Sequence, residues 1–311
     1  MDRSLPRFEL KKSTEGETGV ERVAVVGLGA MGAPIARRLL DDGCEVAVWN
    51  RSPERSAAVR EMGAAVGASP ADTAQGADAV IVMVTGPEAL RAVTQGENGI
   101  AAGVDPGAVV VQMSTVSPSS VGCLAQALAA GTGLLDAPVL GSRAEAESGR
   151  LRILVGGSSA LVERCRLLLE QLGSVLHVGG LGSGTAAKLV ANNALFAMLG
   201  VLGESLALGH ALGLSWENLH EVLSMTPLAE QATRRRAVIE ADDYPTRFAL
   251  ALARKDADLV ADAAHHGGAT SASPQPPETG SRPPNARVAP ARTTRPFSPT
   301  SCTRRQKEPL L

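Results

Sequence analysis

The chain has 311 residues, enough for two domains of ordinary size. Thirty Lys and Arg against 32 Asp and Glu leave a formal net charge of −2, so bulk electrostatics give no reason to expect a nucleic-acid or membrane partner. Four cysteines (Cys44, Cys123, Cys165, Cys302) without C-x-x-C spacing exclude a zinc ribbon and a disulfide framework, and point to a reducing, cytoplasmic compartment.

Residues 1–20 are polar and charged, lack the apolar core of a signal peptide, and read as a disordered leader. "RVAVVGLG" is a near-continuous apolar run, as a buried parallel strand requires. The helix "AMGAPIARRLLDDG" follows, with Ile35, Leu39 and Leu40 apolar and Gly43 placed to stop it. "EVAVWN" is a second strand. "SPERSAAVREMG" is a second helix, with Ser52 as N-cap and Pro53 at the first helical position. The alternation continues through strands "ADAVIVMV", "AVVVQMS" and "GLLDAPV", separated by helices "GPEALRAVT" and "SPSSVGCLAQALAAG". "RLRILVGG" and "VLHVGG" are further strands around the helix "SSALVERCRLLLEQL". This pattern predicts a doubly wound α/β Rossmann-type domain over 21–182.

From 183 onward the pattern is helical. "SGTAAKLVANNALFAMLGVLGESLALGHALG" predicts one long interdomain helix leading into an all-α domain over 183–268. Within it the longest apolar stretch, 189–203, is bounded by Lys188 and Glu204 and is short for a bilayer span, so no membrane partner is expected. "SWENLHEVLSM", with Ser215 as N-cap, "PLAEQATRRRAVIE" and "FALALARKDADLVADAAHH" are the next helices. Residues 269–311 carry Pro, Arg, Ser and Thr without a periodic apolar face, and nine of the chain's 19 prolines fall in 271–311. Two readings stand there: a basic or polyproline ligand, with P-x-x-P at Pro296–Pro299, and, favoured because the change falls mid-helix, a disordered tail from a shifted reading frame. On the second reading the helical domain is incomplete.

"VAVVGLGAMGAPIA" holds G-x-G-x-x-G at Gly27, Gly29 and Gly32, directly after a strand and opening a helix. In that context Gly27 permits the tight turn, Gly29 lets a pyrophosphate approach, and Gly32 lets the helix pack on the sheet. The anion is held by backbone N–H groups and the helix dipole, so Leu28, Ala30 and Met31 join the cofactor set. The end of the second strand reads Asn50-Arg51-Ser52 where an NAD site has Asp or Glu. A guanidinium pairs with a 2′-phosphate that an acid would repel, which predicts NADP(H) over NAD(H). Val84 is placed beside the same cofactor. "GSGTAAKLVANN" sets Lys188 in an apolar run with Asn192 one turn later, either a solvated face or a proton donor entering a cleft. His177, His210, His220, His265 and His266 show no metal spacing, and no metal is expected.

Taken together, "VGLGAMGAPIARRL", "VWNRS", "STVSP", "DAPVLGSRAEAESGRLRILVGG", "GSGTAAKLVANN" and "RKDADL" resemble the β-hydroxyacid dehydrogenase family, in order from about 22 to 266. That family includes 3-hydroxyisobutyrate dehydrogenases, glyoxylate and succinic semialdehyde reductases and, more distantly, 6-phosphogluconate dehydrogenases. The resemblance implies NAD(P)-dependent hydride transfer on a small hydroxyacid or semialdehyde, and a homo-oligomer if the helical domain is intact. It puts the catalytic lysine at Lys188 and its companion asparagine at Asn192. It puts the substrate carboxylate on the turn of Gly141 and Ser142, where Leu140 departs from the family's serine. It also puts Ser114 and Thr115 near the nicotinamide, and Lys255, with Asp256, near cofactor and substrate. Two alternatives remain: an imine reductase of the same architecture, against which Lys188 argues, and a cofactor-binding relative without turnover, motivated by Leu140 and the tail.

Overall fold

The computed structural model describes residues 20–244 and 248–268. The proposed leader, apart from Val20, and the whole 269–311 tail lie outside the described residues. Among the described residues nine strands form one sheet: β1 Arg22–Val26, β2 Glu45–Trp49, β3 Ala65–Val66, β4 Ala79–Val82, β5 Val109–Gln112, β6 Gly133–Asp136, β7 Val139–Leu140, β8 Leu151–Gly156 and β9 Gly173–Gly179. Their order is β3-β2-β1-β4-β5-β6-β8-β7, with β9 also paired to β8. The first six are parallel in the 3-2-1-4-5-6 order of a dinucleotide-binding sheet. Strands β6 and β7 run antiparallel to β8, meeting it at Asp136↔Gly156 and at Val139↔Ile153.

The apolar runs are uninterrupted because both faces of the sheet are covered. Val23 and Val25 of β1 pack with Ile35 and Leu39 of the helix Gly32–Asp41, and with Leu168 and Leu172 of the helix Arg166–Leu172. Ala24 and Val26 face the other way, against Leu90, Ile100, Val121 and Leu124. The fold is therefore the expected doubly wound Rossmann-type layer followed by helices.

Several local expectations are corrected. The stretch 52–63 is not one α-helix: Pro53–Ser56 is a 3₁₀ turn that runs into the α-helix Ala57–Glu61, and the Ser52 side chain makes no capping bond. The helix predicted over 158–172 breaks at the wholly buried Cys165 into Ser159–Arg164 and Arg166–Leu172. That bend keeps Val162 in the same core as Leu168, Leu169 and Leu172. Strands β3 and β7 and the helices Pro70–Ala74, Ile100–Gly103 and Arg143–Glu147 have no counterpart in the sequence reading. Each spans at most five residues, too few to show an apolar period.

The long helix spans Ser183–Ala211 and is roughly 44 Å long at the usual rise per residue. By length and composition only it is long and apolar enough to cross a membrane, a test that the core helix of a protein without a span also passes. Its first turns bury Gly184, Thr185, Leu189 and Asn192 against the sheet and the helix Leu250–His266. Its far half packs Leu202 and Leu206 with Leu223 and Ala232 of the helices Trp216–Ser224 and Ala229–Glu240. Ser215 caps the former as expected, accepting from the Asn218 N–H at 3.3 Å.

Glycines on this helix are not equivalent. A Cβ on Gly184 would lie 2.4 Å from the carbonyl oxygens of Asp136 and Leu154, which are backbone and cannot swing aside. A Cβ on Gly203 would meet nothing within 4 Å. Chemical denaturation should therefore show Gly184→Ala losing about 1–3 kcal/mol. Gly203→Ala should be neutral or gain up to about 1 kcal/mol. Equal effects at the two sites would contradict the packing described.

Candidate active site

The loop after β1 has the shape the fingerprint requires. Gly27 takes φ +101°, and its N–H donates to the Trp49 carbonyl at 2.8 Å. A Cβ on Gly32 would sit 1.8 Å from the Gly27 oxygen, so the helix start lies directly on the loop. A Cβ on Gly29 would meet nothing within 4 Å. Among the described residues no acceptor faces the N–H groups of Gly29, Ala30 and Met31. Open space beside unsatisfied donors at a helix N-terminus fits a pyrophosphate.

Asn50 is bonded to protein groups at both ends of its amide. Asn50 Oδ1 accepts from the Leu28 N–H at 2.9 Å, and its Nδ2 donates to the Ser52 carbonyl at 2.9 Å. Asn50 thus braces the phosphate loop on the end of β2. The exposed Arg51 has no ion-pair partner among the described residues, leaving its guanidinium for a ligand.

Ser114 is likewise committed to the backbone. Its hydroxyl accepts from the Val84 N–H at 2.9 Å and donates to the Val82 carbonyl at 3.3 Å. The buried Gln112 side chain accepts from the Ser114 N–H at 2.5 Å and donates to the Ser114 carbonyl at 3.0 Å. These bonds tie the ends of β4 and β5 together. The neighbouring Thr115 carbonyl accepts from Lys255 Nζ at 2.7 Å, so the late helix reaches the sheet at this point. Lys255 also lies against Gly86, where a Cβ would meet its Cδ at 3.2 Å.

Lys188, Asn192, Lys255 and Asp256 come together between the long helix and the helix Leu250–His266. Asn192 Nδ2 donates to Asp256 Oδ2 at 2.9 Å, and Lys255 Nζ lies 2.5 Å from Asp256 Oδ1. Asp256 and Asn192 are buried. Burial pushes the Lys188 ammonium below the ordinary lysine value of 10.5. Asp256 partly opposes that shift and Lys255 adds to it. The i,i+4 spacing sets Lys188 and Asn192 on one face, as expected.

The start of that helix is set by a residue the sequence reading did not single out. Asp136, at the end of β6 and fully buried, accepts from the N–H groups of Gly182 at 2.7 Å and Thr185 at 2.6 Å. Gly156 faces it with no room for a side chain, since a Cβ there would lie 2.3 Å from Asp136 Oδ1. The cue available in the sequence was a lone acid at a strand end followed by a helix start with glycine at its N-cap.

The Gly141–Ser142 turn departs from expectation. Glu145 accepts from the Ser142 N–H at 2.7 Å and from the Ser142 hydroxyl. These bonds hold the Glu145 carboxyl below the usual carboxylate range. The Ser142 N–H and hydroxyl, which the resemblance assigns to a substrate carboxylate, thus both donate to Glu145 in the first turn of the helix Arg143–Glu147.

Residues 22–180 match the family profile described as the NAD binding domain of 6-phosphogluconate dehydrogenase. Residues 182–273 match that described as NAD-binding of NADP-dependent 3-hydroxyisobutyrate dehydrogenase. The chain is 33% identical to glyoxylate/succinic semialdehyde reductase 2, chloroplastic, of Arabidopsis thaliana, over 80% of this chain and 70% of that one. The chain belongs to the β-hydroxyacid dehydrogenase family. It is also 34% identical to an NAD-dependent L-serine dehydrogenase of Pseudomonas aeruginosa, over 79% of this chain and 86% of that one. The solved 3-hydroxyisobutyrate dehydrogenase of Mycobacterium tuberculosis, with L-serine, superposes with a TM-score of 0.74 at 29% identity, covering 81% of this chain and 89% of that one.

This β-hydroxyacid dehydrogenase is an NAD(P)-dependent oxidoreductase of the class acting on CH–OH groups. Its charge cluster makes a definite demand on Lys188. Asp256 is the negative charge opposing the desolvation of that ammonium. In Asp256→Asn the Lys188 pKa should fall further below 10.5, read from the pH dependence of lysine side-chain NMR signals. An upward move would contradict the assignment of causes.

Proposed function

We propose that the chain moves a hydride between NADP(H), in preference to NAD(H), and a small hydroxyacid or its semialdehyde, with Lys188 as general acid and base. The arrangement that supports this most is a half-buried lysine on the first turns of a helix packed on the sheet, beside Asn192, Lys255 and Asp256. When bound, the nicotinamide supplies or accepts the hydride. In reduction the Lys188 ammonium gives its proton to the substrate oxygen; in oxidation the neutral amine takes it back. Asn192 keeps its Oδ1 and second amide hydrogen for the lysine or the substrate, since Nδ2 donates once to Asp256.

The lowered lysine pKa fixes the sign of the pH dependence. Reduction needs the ammonium and falls as pH rises through that pKa, whereas oxidation needs the amine and rises. Both limbs lie below 10.5. The preference for NADP(H) rests on Arg51, whose free guanidinium suits a 2′-phosphate. The Gly141–Ser142 turn enters this reading only with Glu145 moved off Ser142. Val190, Val201 and Leu208 share one exposed face of the long helix, which we read as covered by a second copy. We place the chain in the cytoplasm, a reading supported by its scattered cysteines.

NADPH oxidation assayed with glyoxylate, succinic semialdehyde and methylmalonate semialdehyde tests the reading. Lys188→Ala should lower kcat by about 10²–10⁴-fold, with NADPH binding retained. Undiminished turnover would remove Lys188 from the chemistry. Arg51→Asp should weaken NADPH binding about ten- to a hundredfold, the value of a lost charge-assisted contact. NADH binding should not weaken. Equal loss for both cofactors would count against the 2′-phosphate role.

A further inference from the structure

Lys188 has its orientation from a helix whose own N-cap is unable to cap it. Gly182 stands at the N-cap with φ +91° and no side chain. The first-turn donors of Gly182 and Thr185 are instead satisfied by the two oxygens of Asp136, 46 and 49 positions earlier. The contact is largely buried: Asp136 and Thr185 are buried and Gly182 is half-buried. It is also tight, because Gly184 presses on the carbonyls of Asp136 and Leu154, and Gly156 leaves room for the carboxylate. A helix held by two charge-assisted bonds and two backbone contacts is free neither to rotate nor to slide. Lys188 lies three residues beyond Thr185, on the next turn of the same side.

We propose that Asp136 is a positioning residue for Lys188: it fixes the axial register and rotation of the helix and so sets where the amine meets the substrate oxygen. This inference rests on the reading of Lys188 as the proton donor. Asp136 touches no reacting atom; it acts through the backbone of 182–185.

Asp136→Asn keeps the size of the side chain but turns an amide NH₂ toward one of the two backbone donors. Amide hydrogen exchange over 182–188 should speed about tenfold or more, the equilibrium factor of a lost charge-assisted bond. The kcat should fall roughly a hundredfold, as expected when a catalytic group shifts by about an ångström, while the KM values for NADPH and aldehyde stay near wild type. A loosened helix start admits water to Lys188, so the alkaline limb of the reduction rate should move up toward 10.5. Leu202→Ala, which empties a buried site on the far half of the same helix, serves as the destabilised control. It should leave kcat and the alkaline limb in place. Unchanged exchange in Asp136→Asn, or a loss of kcat equal to that of Leu202→Ala, would overturn the proposal. Wild-type turnover in Lys188→Ala sinks the parent reading instead, and does so without any change in the exchange result.

Discussion

The contact between the Asp136 carboxylate and the first turn of the long helix carries the rest of the structure. Each bond to a charged acceptor is worth about 1.5–3 kcal/mol; the one from Thr185 is buried and the one from Gly182 part-buried. They join the last parallel strand of the sheet to the element that bears Lys188 and Asn192. Lys255 makes a second junction, from the late helix to the Thr115 carbonyl at the end of β5. Between these two junctions lies the charge cluster, its lysine amine pushed toward neutrality by burial and pulled back by Asp256. A group poised between those opposing influences is suited to giving and taking a proton.

Much of the fold is legible without coordinates, for a physical reason. Strands β1, β4 and β5 are buried on both faces, so their apolar runs have no polar interruptions to confuse the reading. The phosphate loop is legible because Gly27 and Gly32 leave so little space that no other residue fits. The short elements β3, β7 and Arg143–Glu147 are not, because pairing and packing, rather than any period of their own, hold them in place.

The candidate site was legible by residue type more than by partner. Asn50, Ser114 and Ser142 all stand where donors or acceptors for a ligand were expected, yet each is bound to nearby protein groups: Leu28, Val84 and Glu145 respectively. Spacing along the chain does not say which of two competing partners a polar side chain takes. Lys188 and Asn192 were legible because i,i+4 spacing needs no distant partner. Asp136 was not, since its partners lie 46 and 49 positions away. The helical part adds a similar lesson. Its apolar clusters are small, Leu202, Leu206, Leu223 and Ala232 in one and Leu189, Leu259 and Val260 in another, while Val190 and Leu208 stand exposed. Helical periodicity finds the elements and leaves open what covers their outer face.

The proposed role of Lys188 rests on burial lowering its pKa below the ordinary lysine value. Its most direct test is an NMR titration of the Lys188 side chain in the wild-type protein, assigned by its loss in Lys188→Arg. The midpoint should lie clearly below 10.5, because burial outweighs the attraction of Asp256. A midpoint at or above 10.5, the ordinary lysine value, would contradict it.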